Sequence, residues 1–224
     1  HGGGKAVTKE LENRGLEANF INGLRVTDAK TIEIVDMVLN GSVNAEVAEF
    51  VSSYDCKTQC LPGKEILSCQ RLELEEDLGF VGSITKVDTA PIQDALENGL
   101  MPIISSTASD ETGQCYNVNA DTVAAEVAIS LGARRLVYLS DVPGLLRNPQ
   151  DSNSLLSSLP VDQVDSLKNE GVIAKGMLPK VNSAVDALNS GVNRVHFIDG
   201  RLPHSILLEI FTDEGIGTEI VHAT

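Results

Sequence analysis

The stretch from Asn117 to Gly144 constrains the fold of this chain more than any other segment. A polar loop is followed by an apolar-striped segment ending at Gly132, then by the mostly apolar run from Leu136 to Leu139, and then by a second polar loop. The apolar spacing predicts a helix that Asp121 caps and Gly132 closes. The apolar run predicts a buried parallel strand. Both polar loops therefore lie where ligands bind in an open α/β sheet, outside the carboxyl ends of strands.

The rest of the chain alternates helical and extended patterns. Helices are predicted near 6–14, 43–53, 91–98, 161–169, 180–188 and 203–211, with a further helix from Thr27 or Asp28 to Gly41. Strands are predicted at 101–105, 194–199 and 217–221, and an extended region with turns at Pro62-Gly63 and Gly79 spans 57–87. This alternation indicates an α/β fold with a mainly parallel sheet and helices on both faces.

Charge and cysteine usage exclude several classes of function. The net charge of −15 gives no basic surface for a phosphate backbone, so we expect no nucleic-acid partner. No apolar run reaches the about 18 residues of a membrane span, and no signal peptide is visible. We therefore expect no membrane partner. The four cysteines lack paired C-x-x-C spacing, which predicts reduced thiols in a cytoplasmic protein and no structural metal site.

Three features are candidates for binding an anion. The glycines of His1-Gly-Gly-Gly4 precede a helix, where backbone N–H groups approach an anion closely; the alternative is a flexible terminus or tag remnant. Arg25 stands just before a helix and either pairs with a carboxylate ligand or forms a surface salt bridge. Lys180 lies in the first turn of a helix, against the helix dipole, and either meets an anion there or is solvated.

The motifs of several common enzyme classes are missing. The sequence contains no G-x-x-x-x-G-K-[ST] loop, no G-x-G-x-x-G after a strand and no G-x-S-x-G elbow. No His/Cys or Ser/His constellation stands out as a nucleophile with its base. The remaining inventory of glycine-rich turns, loop carboxylates and two well-placed cations favours phosphoryl transfer, in which the protein supplies mainly positioning and charge.

Six motifs in the same order resemble those of the N-acetylglutamate kinase family, within the amino acid kinase superfamily. They are His1-Gly-Gly-Gly4, Asn22-Gly-Leu-Arg-Val-Thr27, Asn117-Val-Asn-Ala-Asp121, Leu139-Ser-Asp-Val-Pro-Gly144, Gly176-Met-Leu-Pro-Lys180 and Thr212-Asp-Glu-Gly-Ile-Gly-Thr218. The resemblance spans nearly the whole chain. It implies a three-layer α/β/α sandwich with a mainly parallel central sheet, and transfer of the ATP γ-phosphoryl group to the γ-carboxylate of N-acetyl-L-glutamate in arginine biosynthesis.

The resemblance also implies a domain plan and roles for individual residues. One amino acid kinase domain would cover 1–224, with an acyl-substrate lobe at about 1–115, a lid hairpin near 57–87 and a nucleotide-binding lobe at about 116–224.

Lys180 and Asp121 would be catalytic. The substrate would meet Gly3, Gly4, Arg25, Asn117 and Asn119. The nucleotide site would include Asp141, Val142, Pro143, Gly144, Leu145, Leu146, Val172, Ile173, Ala174, Lys175, Gly176 and Met177. ATP would bring Mg²⁺, held largely by its own phosphates.

The carboxy-terminal motifs resemble the arginine-inhibited branch of the same family. That resemblance implies an arginine effector at His196, Glu214 and Gly217, assembly as a homodimer or homohexamer, and in some lineages binding of a PII signalling protein. The extra amino-terminal helix of that branch is not part of this sequence.

Two departures from the family pattern leave alternatives open. The family's upstream K-x-G-G motif is not part of this sequence, so the chain is expected to be either an N-terminally shortened kinase or a catalytically crippled one. The usual S-G-x-D-G-like lid turn is replaced by Leu61-Pro-Gly-Lys-Glu65. The alternatives are a related kinase acting on glutamate, aspartate, carbamate or uridylate, and a non-catalytic arginine-sensing or interaction module.

Overall fold

Helices cover most of the segments whose apolar residues keep helical spacing. The computed structural model describes residues 1–148, 150–173, 176–212 and 215–223. Within them the α-helices are α1 (Gly4–Asn13), α2 (Ala29–Asp36), α3 (Asn44–Ser52), α4 (Gly63–Ile66), α5 (Ala90–Glu97), α6 (Ala120–Ser130), α7 (Val164–Asn169), α8 (Met177–Asn189) and α9 (Ser205–Phe211). A π-helical segment (Met37–Val43) joins α2 to α3, and 3-10 turns cover Ser152–Ser154 and Val161–Gln163.

The strands between these helices are short. They are β1 (Phe20–Ile21), β2 (Leu24–Arg25), β3 (Thr58–Leu61), β4 (Leu67–Arg71), β5 (Gly82–Val87), β6 (Met101–Ile104), β7 (Thr107–Ser109), β8 (Cys115–Asn117), β9 (Arg135–Ser140), β10 (Ser158–Pro160), β11 (Arg194–Asp199) and β12 (Thr218–Val221). The alternation of strands with helices confirms the predicted α/β class.

The chain divides into two compact units, His1–Val123 and Ala124–Thr224. In the first unit, four strands are ordered β5-β4-β7-β8, with β4 and β7 parallel and the two outer pairs antiparallel. Strands β3 and β6 form a separate parallel pair, and β1 and β2 form an antiparallel hairpin. The core of this unit includes Val7 and Leu11 of α1 packed against Ile32 and Val35 of α2.

The second unit contains a four-stranded sheet ordered β10-β12-β11-β9. Strands β9 and β11 run parallel, with Leu136 opposite Val195, whereas β12 runs antiparallel to β11 and parallel to β10. The rings of Tyr138 and Phe197 stack at a centroid distance of 5.1 Å. Apolar side chains of α8, including Val181, complete this core. Each unit therefore holds a mixed sheet rather than a purely parallel one.

Several local predictions are settled by the backbone. Asp28 caps α2, because its Oδ1 accepts from the Thr31 N–H at 2.8 Å. Gly132 has φ of 60° after α6, which confirms its predicted role as a closing glycine. Gly41 does not close a helix: it lies inside the π-helical segment, and the chain continues into α3. The prediction was wrong because nothing at Gly41 provides the left-handed turn that ends a helix.

Two further predictions fail for reasons of geometry. Pro62-Gly63 does not make a simple turn in an extended region, because Gly63 begins the one-turn helix α4. Leu139 is not buried with Leu136 and Tyr138; its side chain is 54% exposed. Successive side chains of a strand point to opposite faces, so the apolar run 136–139 cannot be buried on one face alone. The antiparallel hairpin of β4 and β5 does form within the predicted 57–87 region.

Candidate active site

The glycine segment at residues 2–4 forms the N-terminal end of α1. Gly3 is the N-cap residue, and it has no side chain with which to cap the N–H groups of the first turn. The segment is closely packed, because a Cβ atom on Gly3 would lie 2.6 Å from Leu39 Cδ2. The backbone nitrogen of His1 donates to the Ile104 carbonyl at 2.7 Å, which attaches the segment to the end of β6. Uncapped N–H groups at a helix N-terminus attract an anion.

A cavity of about 150 Å³ lies beside this segment in the first unit. Its lining includes every residue predicted to bind the acyl substrate: Gly3, Gly4, Arg25, Asn117 and Asn119. The apolar part of the lining consists of Val7, Leu24, Val35, Leu39, Val81 and Val118 with the ring of Phe20. The cavity therefore combines an apolar wall, one guanidinium and several polar groups, which suits a small carboxylate-bearing ligand.

Arg25 is the strongest electrostatic feature of this cavity. The residue is only 7% exposed, and its Nη2 atom donates to the Gly4 carbonyl and to Thr8 Oγ1, each at 2.9 Å. The Phe20 ring covers the guanidinium at 4.7 Å from Cζ to the centroid. Burial lowers the pKa of Arg25 below its usual value. Among the described residues no carboxylate pairs with Arg25, and its buried Nη1 atom has no hydrogen-bond partner.

Thr27 connects Arg25 to Asn117 and was not singled out as a site residue from the sequence. Its Oγ1 donates to the Arg25 carbonyl at 2.8 Å and accepts from Asn117 Nδ2 at 3.3 Å. Thr27 is fully buried. The sequence feature that could have identified Thr27 is its i, i+2 spacing from Arg25, which places both side chains on the same side of an extended segment. No local pattern identifies Phe20, Thr8 or Ser106 as residues of the site, because their contacts in the site are with residues distant in the sequence.

Asn119, rather than Asp121, caps α6. Asn119 Oδ1 accepts from the backbone N–H groups of Asp121 at 2.9 Å and Thr122 at 3.1 Å. The predicted cap was wrong because the helix begins at Ala120, which puts Asp121 inside the first turn. An aspartate there is still favoured by the helix dipole. Asn119 therefore fixes the start of α6 at the edge of the cavity, and Asp121 is half-buried one residue into the helix.

The loop from Asp141 to Leu146 follows β9 in the second unit. Gly144 has φ of 143°, and a Cβ atom there would lie 2.5 Å from Thr218 Oγ1, so only glycine fits. The Leu145 N–H donates to the same hydroxyl at 2.8 Å. Asp141 is exposed and Val142, Pro143 and Leu146 are half-buried. The Leu145 side chain belongs to the core and its carbonyl accepts from the Leu156 N–H at 2.9 Å, so the more exposed Asp141, Val142 and Pro143 are the part of this loop open to a nucleotide.

The second segment predicted for the nucleotide precedes α8. Val172 and Met177 pack against the core of the second unit, and Ile173 is fully buried within it. Gly176 is exposed and is the N-cap residue of α8. Ala174 and Lys175, which the sequence also assigned to this site, lie outside the described residues. Among the described residues of this segment, Gly176 has the most exposed main chain.

Lys180 lies in the first turn of α8, as predicted. Its Nζ atom is 5.9 Å from the centroid of the Tyr138 ring, within the range of a cation–π contact. The Tyr138 ring is in turn stacked on Phe197. The paired strands β9 and β11 therefore position the ring that Lys180 contacts. The ammonium group of Lys180 is thereby positioned at the N-terminus of α8, where the helix dipole is unfavourable to a cation and an anion would be favourable.

Another cavity, of about 490 Å³, lies in the second unit and is lined by two of the predicted effector residues. His196 and Gly217 line it together with Glu209, Glu219 and Arg194. Glu214, the third predicted effector residue, lies outside the described residues. Glu209 and Glu219 were not singled out from the sequence, because nothing local distinguishes them from other surface glutamates. Both carboxylates have partners within the unit: Glu219 Oε1 pairs with Arg194 Nη1 at 2.6 Å, and Glu209 pairs with His196.

His196 and Glu209 form a buried pair in this cavity. The Nδ1 atom of His196 lies 2.8 Å from Glu209 Oε1, and Glu209 Oε2 accepts from the N–H groups of Ile216 and Gly217 at 2.8 and 2.9 Å. Burial alone would raise the pKa of Glu209, but the hydrogen bonds from His196, Ile216 and Gly217 keep it below its usual value. The Nε2 atom of His196 is buried and has no hydrogen-bond partner among the described residues.

The described residues include neither a cluster of metal-binding side chains nor a membrane-spanning helix. They contain no group of three or more His, Cys, Asp or Glu side chains placed to hold a metal ion. None of their helices is long and apolar enough to cross a membrane. Cys56, Cys60, Cys69 and Cys115 are free thiols.

Comparison with known proteins matches nearly the whole chain. The model of the amino acid kinase family matches residues 1–199. Acetylglutamate kinase from Syntrophomonas wolfei is 48% identical over 224 residues, which cover 99% of this chain and 78% of that protein. The structure of N-acetylglutamate synthase from Neisseria gonorrhoeae with coenzyme A and N-acetyl-glutamate is 28% identical, with a TM-score of 0.86 over 100% of this chain and 51% of that one. The same enzyme with coenzyme A and L-arginine is 27% identical, with a TM-score of 0.82 over 100% of this chain and 53% of that one.

Proposed function

Because this chain belongs to the amino acid kinase family, and within it to the acetylglutamate kinases, we propose that it phosphorylates the γ-carboxylate of N-acetyl-L-glutamate. The protein is an enzyme, a phosphotransferase with a carboxyl group as acceptor, and it acts in arginine biosynthesis. ATP use follows from membership of the family.

The observation that carries this proposal is the unpaired guanidinium of Arg25. A buried charge without a counter-charge is costly, and the buried Nη1 atom lacks a hydrogen-bond partner among the described residues. A ligand carboxylate supplies both the negative charge and the acceptor. We propose that Arg25 pairs with the α-carboxylate of N-acetylglutamate and that Asn117 binds the same ligand, with Asn119 supporting the loop. The apolar lining, including Leu24 and Val81, suits the uncharged part of the ligand.

The reaction needs little covalent help from the protein. An oxygen of the γ-carboxylate attacks the γ-phosphorus of ATP, the bond from that phosphorus to the β,γ-bridging oxygen breaks, and ADP leaves with the electron pair. The carboxylate is ionised at neutral pH, so no general base is required. The protein must instead offset the repulsion between two anions. We assign this task to the N–H groups at Gly3 and Gly4, because they lie at the start of α1 and the N-cap residue Gly3 provides no side-chain cap.

The remaining roles rest on the family resemblance and on where the residues lie. We propose that Lys180 stabilises charge on the transferring group and that Asp121 orients the active-site lysine. The nucleotide is assigned to the loop Asp141–Leu146 and to the segment Val172–Met177. Mg²⁺ is proposed to arrive with ATP, held by its phosphate oxygens, which are the hard ligands that this ion prefers.

Formation of an acyl phosphate tests the proposed reaction directly. The purified protein is incubated with ATP, Mg²⁺ and hydroxylamine, and the hydroxamate is measured with N-acetylglutamate, glutamate and aspartate in turn. Transfer to carbamate or uridylate is followed by ADP release. We expect product with N-acetylglutamate and at least about tenfold less with each of the others, because a site built around an acyl amide leaves buried polar groups unpaired with other substrates. Equal rates with glutamate would overturn the substrate assignment.

A second function is favoured by the cavity that contains His196, Glu209 and Glu219. We propose that it binds free arginine as an effector, with the guanidinium meeting the two glutamates and the ligand held near Gly217. The Glu219 carboxylate, which pairs with Arg194, can also accept from a ligand guanidinium, and Arg135 and Arg194 in the same lining suit the carboxylate of free arginine. The structural neighbour that was solved with L-arginine supports this choice of ligand.

Thermal stabilisation tests the arginine site without relying on catalysis. We expect arginine to raise the melting temperature and citrulline, which lacks the positive charge, to leave it unchanged. Glu219→Gln should weaken the arginine effect. If arginine stabilises the protein but no acyl phosphate forms with any substrate, the non-catalytic sensing function replaces the kinase.

The resemblance also supports proposals about assembly and compartment. We propose that the protein assembles as a homodimer or homohexamer, that it binds a PII signalling protein, and that it acts in the cytoplasm. The exposed rings of Phe50 on α3 and of Tyr54 just after that helix provide an apolar surface suited to a subunit contact. Light scattering on the purified protein, alone and with PII, measures both assemblies.

A further inference from the structure

A polar network lies behind the substrate cavity of the first unit, centred on Asn40. Asn40 belongs to the π-helical segment Met37–Val43, a rare geometry that often marks functional sites. Its Oδ1 atom accepts from the hydroxyls of Ser105 and Thr107, the latter at 2.9 Å, and its Nδ2 atom donates to Asp36 Oδ1 at 2.5 Å. Ser105 and Thr107 are fully buried. One amide side chain thus joins the helix to the end of β6 and the start of β7.

The network continues into the base of the β4–β5 hairpin. Asp36 Oδ2 accepts from Lys64 Nζ at 2.8 Å. The backbone N–H of Gly63 donates to Ser105 Oγ at 2.8 Å, and that of Lys64 donates to Thr107 Oγ1 at 3.1 Å. Both hydroxyls that bind Asn40 therefore also bind the two residues that begin α4, and the chain passes from α4 directly into β4.

The opposite side of the same elements faces the cavity. Leu39, the neighbour of Asn40, lines the cavity, and its Cδ2 atom would lie 2.6 Å from a Cβ atom at position 3. Ser106, between the two network hydroxyls, also lines the cavity, and its carbonyl accepts from the Val118 N–H at 3.1 Å. The network and the cavity therefore share the segment 105–107 and the π-helical segment.

We propose that Asn40 is a positioning residue for the acyl-substrate site, resting on the function proposed above. Its amide holds the segment 105–107 against the π-helical segment and the hairpin base, and so fixes the spacing between Gly3 and the wall of the cavity at Ser106. Asn40 itself is not among the residues that line the cavity. It acts through Ser105, Thr107 and Asp36.

The test replaces one atom of the network. In Asn40→Asp the side chain still accepts from both hydroxyls but cannot donate to Asp36, and two carboxylates face each other. We expect the KM for N-acetylglutamate to rise about fivefold or more, with the KM for ATP and kcat within about twofold. Asn98→Asp is the matched control, because Asn98 also donates to the aspartate four residues earlier but is exposed at the end of α5.

A double exchange separates positioning from general destabilisation. In Asp36→Asn with Asn40→Asp, the amide at 36 donates to the carboxylate at 40 and accepts from Lys64, so every contact of the network keeps a donor and an acceptor, and only the bond between positions 36 and 40 reverses its direction. We expect this variant to recover a KM within about twofold of the original value. A single Asn40→Asp variant with an unchanged KM, or with kcat and both KM values altered together, would overturn the proposal.

Hydrogen exchange tests the network independently of catalysis. We expect faster exchange of the Gly63 and Lys64 amides in Asn40→Asp, normal exchange in Asn98→Asp, and recovery in the double exchange. Unchanged exchange at these amides overturns the role of Asn40 even if the enzyme is active. Failure of the original protein to form an acyl phosphate, with the exchange pattern as expected, instead overturns the proposed function.

Discussion

Arg25 Nη2 donates to the Gly4 carbonyl oxygen at 2.9 Å. The cation assigned to the substrate α-carboxylate is therefore held by the same glycine segment that is assigned to the transferring phosphoryl group. A shift of the glycine segment would also move Arg25. This hydrogen bond therefore couples the positions of the groups assigned to the two ends of the acyl substrate. Thr8 Oγ1, one turn further along α1, accepts from the same Nη2 atom and fixes its orientation.

Arg25→Lys should raise the KM for N-acetylglutamate about tenfold or more. A lysine keeps the charge but loses the planar fork, and hydrogen bonds to charged groups contribute about 1.5–3 kcal/mol. Initial rates at varied N-acetylglutamate measure the change. The control is Arg14→Lys, since Arg14 lies at the exposed C-terminal end of α1 and pairs with Glu10. A rise confined to the KM for ATP would contradict the role of Arg25.

Phe20→Leu should raise the same KM by about two- to fivefold, because a cation–π contact contributes about 0.5–1 kcal/mol at an exposed site. The ring lies 4.7 Å from the Arg25 guanidinium carbon. Phe20→Tyr keeps the ring and should behave like the original protein. Phe50→Leu, at another exposed phenylalanine, controls for loss of surface aromatic area. Equal KM values for the leucine and tyrosine variants would show that the ring has no part in binding.

Lys180→Ala should lower turnover at least about tenfold, and by as much as 100- to 1000-fold if its effect matches the roughly 3–4 kcal/mol of a lost oxyanion donor. The KM for N-acetylglutamate should change little, because the lysine is assigned to the transition state. Single-turnover rates measure the chemical step. Lys168→Ala is the control, since Lys168 pairs at the surface with Asp165. Near-normal turnover without Lys180 would remove it from the mechanism.

The stability of the second unit should depend on pH through Asp199. Hydrogen bonds from the Arg201 side chain and backbone hold the pKa of Asp199 at about 2. The unfolded value is about 3.9, so the ionised form is favoured in the folded state. This contribution is present above about pH 4 and is lost as the pH falls toward about 2. The difference in unfolding free energy between the original protein and Asp199→Asn should shrink over that range.

Urea unfolding at a series of pH values measures this difference, and Asp162→Asn at an exposed site controls for the loss of one carboxylate. A stability difference that stays constant from about pH 6 to about pH 2 would mean that Asp199 does not carry the effect.

Gly63→Ala should destabilise the first unit by about 3 kcal/mol, the upper range for overpacking. A Cβ atom there would lie 2.2 Å from the Ser105 carbonyl oxygen and 2.3 Å from that of Thr107, and backbone atoms cannot move aside easily. Gly41→Ala is the control, because a Cβ atom at Gly41 meets open space and alanine favours helical backbone by about 0.5–1 kcal/mol. Thermal unfolding compares the two variants. Equal melting temperatures would show that α4 can move away from β7.

Local sequence signals located most of the elements but could not choose between close competitors. The caps at Asp28 and Gly132 were predictable, because each depends on a few neighbouring residues. Asn119 and Asp121 are both good caps two positions apart, and the structure selects Asn119 because α6 begins at Ala120. Gly41 predicted the end of a helix, but the helical backbone continues through it as the π-helical segment Met37–Val43.

The sequence by itself determined the α/β class, the order of the elements and the motifs that identify the family, because periodicity and short motifs depend on neighbouring residues. Only the tertiary structure decided that Arg25 is buried without a carboxylate partner among the described residues, and that Thr27 bonds to Asn117, 90 positions away. It also decided that Asn40 joins the hairpin base to the cavity wall. Such contacts depend on how distant elements pack, and no local pattern of residue types encodes that packing.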